Sequence, residues 1–123
     1  MKDKEKLINE AFEISGEIRY IAVYDDDRLS MRQRGDIKNV SSNESDKYEE
    51  LLVNPTLIKL ASQRGNIDCG GLEYFIIRYG NFFVLLIPCK NGHLNIGVEP
   101  DNNPLLFIEP LNRLLRKYNL QAK

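Results

Sequence analysis

Few residues in this sequence combine a reactive side chain with a spacing that could do chemistry. The single histidine, His93, could serve as a base or a ligand, yet one histidine without a cluster of further histidines or cysteines makes a poor metal site. Standing just after Asn91-Gly92, it is expected on the surface at the end of a hairpin. Cys69, followed by Gly70 and Gly71, has the outline of a nucleophile beside backbone N–H groups. That constellation also needs a base within hydrogen-bond reach, and His93 is the only conventional partner. Asp25, Asp26 and Asp27 could offer oxygens to a divalent cation, but the spacing and terminal Glu of a calcium loop are missing, so the run is expected to be a charged turn. Gly65, Gly70, Gly71 and Gly80 match neither G-x-x-x-x-G-K nor G-x-G-x-x-G, so no phosphate cradle is indicated. The expectation is a protein with no catalytic residue, no bound metal and no cofactor, in which replacing His93, Cys69 or Cys89 by alanine leaves partner binding intact.

The cysteines stand twenty positions apart, without C-x-x-C spacing, and are expected to be reduced packing residues, with a disulfide between them left open. Seventeen Lys plus Arg against eighteen Asp plus Glu give a net charge near −1, so no overall field draws the chain to nucleic acid or to anionic lipid. Arg19, Arg28, Arg32 and Arg34 gather in one hairpin, where an arginine-rich edge beside Tyr20 and Tyr24 could meet RNA or an acidic protein; a solvated edge strand is the plainer expectation. The opening residues are mostly charged, and no segment approaches the roughly 20 apolar residues that span a bilayer. A cytoplasmic protein is expected. At 123 residues with 28% charged and 42% apolar side chains, the chain has the balance of one folded domain over residues 1–123.

The elements follow from periodicity. Leu7, Ile8, Ala11, Phe12 and Ser15 form the stripe of an amphipathic helix from Lys4 to Ser15. Ile18 to Tyr24 is β-branched or aromatic at nearly every position, which reads as an interior strand. Leu29 to Arg34 alternates as a half-exposed strand, and Gly35 to Ser45 reads as an exposed loop, the least ordered part of the chain. A central helix is expected from about Asp46 to Gln63, kinked or restarted at Asn54-Pro55. Leu72 to Tyr79, Asn81 to Pro88 and Gly92 to Glu99 read as a meander whose Gly80-Asn81 and Asn91-Gly92 turns accept positive φ. Asn103-Pro104 starts a last helix through Tyr118, with Pro110 either ending a short first turn or kinking it.

In this order, and in the hydrophobic patterns of GEIRYIAVYDDDRLSMRQR and LEYFIIRYGNFFVLLIPCKNGHLNIGVEP, the chain resembles the roadblock/dynein light-chain family of the longin-like and profilin-like group, in particular its small stand-alone archaeal members. The resemblance implies an α+β fold, α-β-β-α-β-β-β-α. Its five-stranded antiparallel sheet has the order 2-1-5-4-3, with the first and last helices on one face and the central helix on the other. It also implies a homodimer in which third strands pair edge to edge and central helices lie side by side, and a role as scaffold or regulator of small GTPases and motor complexes.

From the residues themselves, Leu72, Tyr74, Phe75, Ile76 and Ile77 form a strand apolar enough to need cover if it lies at a sheet edge, and self-pairing is the economical cover. An interior strand, or one capped by a loop, is the alternative. With Tyr48 and Leu52 of the central helix they make the candidate interface. The expected partners are a second copy of the chain and a small GTPase or similar protein, with neither nucleic acid nor membrane. A profilin-like or PAS-like sensor holding a small ligand between sheet and helix is the other reading, although Phe82, Phe83, Leu85 and Leu86 are expected to fill that space.

Overall fold

A computed structural model describes residues 2–122. Leu7, Ile8 and Ala11 carry the buried stripe of α1 (Lys2–Ile14). β1 (Ile18–Asp25) turns into β2 (Arg28–Gln33) through Asp26 and Asp27, at φ 53° and 66°. Aspartate tolerates this left-handed conformation better than most residues, and two such residues in sequence match the twist of a tight hairpin. The expected charged turn is therefore observed. The Gly80-Asn81 and Asn91-Gly92 turns, by contrast, contain no positive φ. Gly92 is required for another reason: a Cβ there would lie 1.8 Å from the Tyr24 carbonyl oxygen.

The segment after β2 is largely exposed, as expected, but it is tied down. Arg19 Nη2 donates to the carbonyls of Lys38 at 2.6 Å and Asn39 at 3.0 Å, and its Nη1 donates to Glu99 at 3.0 Å. Gln33 Nε2 adds a bond to Ser41 Oγ at 3.1 Å. Arg19 is thus buried, not part of a solvated arginine edge.

The central helix is α2 (Asn43–Tyr48), a π-turn (Glu49–Val53) and α3 (Asn54–Asp68) in one run. Ser42 caps it, its hydroxyl accepting from the Ser45 amide at 3.0 Å. Asn54-Pro55 leaves the helix unbroken. Pro55 lacks an N–H, and its ring would press on the carbonyl four residues back in a regular turn. The wider turn accommodates this, with the Asn54 amide donating five residues back to Glu49. α3 ends at Cys69, and Gly70 and Gly71 follow at φ 83° and 91°, values glycine adopts without strain.

β3 (Phe75–Arg78) is shorter than the segment Leu72 to Tyr79, with Leu72 and Tyr74 lying before it. β4 (Phe83–Cys89) and β5 (Gly92–Val98) complete the meander. Asn103 caps a 3-10 turn (Pro104–Phe107), which leads into α4 (Ile108–Lys117). Pro110 sits in the first turn of α4, where a missing N–H costs nothing.

The five strands run antiparallel in the order β2-β1-β5-β4-β3, and α1 and α4 cover one face. There Leu7, Ile8, Ala11, Leu111 and Leu115 meet Ile21, Val23, Leu85, Leu94, Ile96 and Val98 in the main apolar core. The alternate positions Tyr20, Ala22, Val84, Leu86, His93 and Asn95 point to the other face, beneath the central helix.

Candidate interaction site

The central helix leaves large apolar side chains in solvent: Tyr48 is 61% exposed, Leu52 53%, Leu60 60% and Ile67 75%. Leu51 flanks them. At its C-terminal end the helix lies on the segment leading into β3, where a Cβ on Gly65 would stand 3.4 Å from the Leu72 amide. Nearer its N-terminal end Glu49 lines a slot with Phe82, which lies just past β3. The helix therefore runs back along β3, the strand at the sheet's edge. Of the residues expected at an interface, Tyr48 and Leu52 are on the outer helix surface. Phe75, Ile76 and Ile77 lie half-buried in β3, Tyr74 is exposed beside it, and Leu72 is half-buried at the turn.

Beneath the helix lies a polar cluster that the sequence alone does not reveal. Glu50 is fully buried, and its carboxylate accepts from Tyr20 Oη at 2.8 Å and Asn95 Nδ2 at 2.6 Å on one oxygen. The other oxygen accepts from Asn54 Nδ2 at 2.9 Å and faces His93 Nε2 at 2.7 Å. His93 is 1% exposed, not a surface residue at a hairpin end. Its position on β5 points it at the helix-covered face, where the helix supplies the partner. A carboxylate without partners in such a place would be strongly unfavourable, and contacts on both oxygens are what make it tolerable.

Next to this cluster Asp46 is also buried, accepting from Gln33 Nε2 at 2.7 Å and Ser41 Oγ at 2.6 Å. Glu49 faces a narrow slot with Tyr20, Phe82, Val84 and Asn95. Its carboxyl is pushed up to about 7, first by burial and then by the nearby charges of Glu50 and Asp46. The folded state then retains a proton between the ordinary carboxyl value of 4.5 and about 7 that the unfolded chain has released. Glu49 thus stabilises the fold on the acid side, and its contribution falls as pH rises from 4.5 to 7. The loss should be about 1–2 kcal/mol once solvent screening is allowed for. Urea midpoints across this range should fall less in Glu49→Gln than in the parent; equal slopes would remove Glu49 as the cause.

The slot encloses about 10 Å³, room for roughly one water molecule. Among the described residues, the larger depressions are open surface. Cys89 is buried and its thiol is pushed up to about 12 by that burial, whereas Cys69 is exposed at the end of α3 and is not a packing residue. Both thiols are free. At the Asp25–Asp27 turn the Lys4 ammonium donates to the carbonyls of Asp25 at 3.2 Å and Arg28 at 3.0 Å. No group of three or more His, Cys, Asp or Glu among the described residues is arranged to hold a metal ion, and no helix among them is long and apolar enough to cross a membrane.

No family model matches the chain, and no curated protein matches it. Among solved structures it is similar to the gliding protein MglB from Thermus thermophilus, with a TM-score of 0.64 at 11% identity, over 98% of this chain and 87% of that one. This likeness places the chain in the roadblock type of fold that the sequence pattern resembles.

Proposed function

We propose that the protein is a non-catalytic homodimeric interaction module, a scaffold or regulator of a small GTPase or similar assembly. The observation that carries this reading is the apolar stripe Tyr48, Leu52, Leu60 and Ile67, left in solvent alongside the edge strand β3. An apolar surface of this extent on a small domain marks an interaction site. A two-fold pairing would bury helix on helix while β3 meets its copy, so one symmetric contact covers both liabilities. The candidate interface is Leu72, Tyr74, Phe75, Ile76, Ile77, Tyr48 and Leu52, as the sequence suggests, extended by Leu60 and Ile67. The GTPase part of the reading rests on the fold and on the family the sequence resembles. The absence of catalysis is supported by His93 being sealed under Glu50.

Light scattering at tens of micromolar should give twice the 14.2 kDa chain mass. Leu52→Glu should reduce it to a single chain while far-UV circular dichroism is unchanged, because Leu52 is largely exposed within one copy. A parent protein of single-chain mass would remove the dimer.

A further inference from the structure

We propose that Glu50 is a positioning residue for the interface: its buried carboxylate holds the π-turn, and the π-turn brings Tyr48 into line with Leu52, Leu60 and Ile67. This rests on the dimer reading above.

The geometry is that of helical register. Each residue of a regular α-helix turns about 100°. One extra residue in a turn rotates the helix before it by about that angle relative to the helix after it. Leu60 and Ile67 share one face of α3, being seven residues apart. Traced back through a uniform α-helix, that face would miss Tyr48 by about 100°. Traced through the π-turn, it meets Leu52 and then Tyr48, and all four residues are exposed. The same rotation keeps the inner face continuous, so that Asp46 before the turn, Glu50 within it and Asn54 after it are all buried.

Pro55 disfavours a regular turn at this point, but it does not choose which residue turns inward. Glu50 does so. Within the π-turn it reaches the two central strands, through Tyr20 on β1 and through His93 and Asn95 on β5, and it binds the helix's own Asn54 as well. A slip of the turn toward regular α geometry would pull this carboxylate off its donors. Asp46 anchors the preceding turn to Gln33 and Ser41, away from the two central strands.

The test is a double-mutant cycle on the dimer dissociation constant, measured by sedimentation over a dilution series. Tyr48→Ala should weaken the parent dimer at least tenfold but the Glu50→Ala dimer less than threefold, because Tyr48 has already left the stripe there. Leu60→Ala should weaken both by the same factor, a pattern that general destabilisation would not produce. If Glu50→Ala does not fold, Asn54→Ala, which removes one of the carboxylate's donors, takes its place in the cycle with the same expectation. An equal loss from Tyr48→Ala in both backgrounds, or no loss in the parent, overturns the proposal while a dimeric parent leaves the dimer reading standing. A parent of single-chain mass refutes the dimer reading and the proposal with it.

Discussion

Lysine in place of Leu85 should unfold the domain, whereas lysine in place of Ile76 should leave a folded chain that no longer dimerises. Leu85 is 0% exposed in the middle of β4, with β5 on one side, β3 on the other and the α1–α4 layer against it. A lysine there must lose its charge or remain desolvated. Either outcome consumes much of a stability of about 5–15 kcal/mol. Ile76 pairs directly with Leu85 and lies at the margin of the same core, half-buried on the edge strand. Its replacement can extend the ammonium past the edge to water, at the cost of some packing. Circular dichroism and light scattering read the two outcomes separately. Ile76→Lys should keep its secondary structure at half the parent mass. Unfolding as complete as that of Leu85→Lys would show that β3 depends on its own buried side chain, and an intact dimer would place the interface elsewhere.

His93→Ala should cost about 1–3 kcal/mol, because it takes one partner from the fully buried Glu50 carboxylate and leaves that contact unmade. Glu50 has no access to solvent with which to replace the lost partner. The sequence places His93 on the surface, where such a change would leave stability nearly untouched; its burial under the helix is what gives the substitution a cost. Urea unfolding measures the effect, and His93→Gln, which keeps an N–H donor, should recover part of it. A loss under about 0.5 kcal/mol, the usual size for a surface position, would mean that His93 is solvated and the cluster is not formed.

The contrast between these two positions shows what can be read from the chain. The run from Phe82 to Ile87 is apolar at every position, so its interior place is legible, and the turns and strand count follow from Gly, Asn and Asp. On β5, Leu94, Ile96 and Val98 announce one covered face, whereas His93, Asn95 and Gly97 carry no apolar signal of a second. A central strand is covered on both faces, and polar residues can occupy the second face when the layer above supplies partners. The signal is present in pieces. Tyr20 pairs with Gly97, two residues along β5 from Asn95, and Glu50 stands four residues before Asn54 on the helix. Joining them requires knowing that the helix widens over Glu49–Val53, just before Pro55, with Glu50 turned inward. β3 reads too long in the sequence because Leu72 and Tyr74 continue its apolar and aromatic character, although the two left-handed glycines before them leave the chain still turning.

The contrast between the two thiols gives the protein a chemically addressable point. With Cys89 buried and its thiol held protonated, a maleimide at neutral pH should react at Cys69 alone, the thiolate being the reactive form. Cys69 closes α3, at the far end of the helix from Tyr48. In a dimer with central helices side by side, one label per chain would mark the two helix ends, and the distance between paired spin labels would distinguish parallel from antiparallel helices without any engineered cysteine.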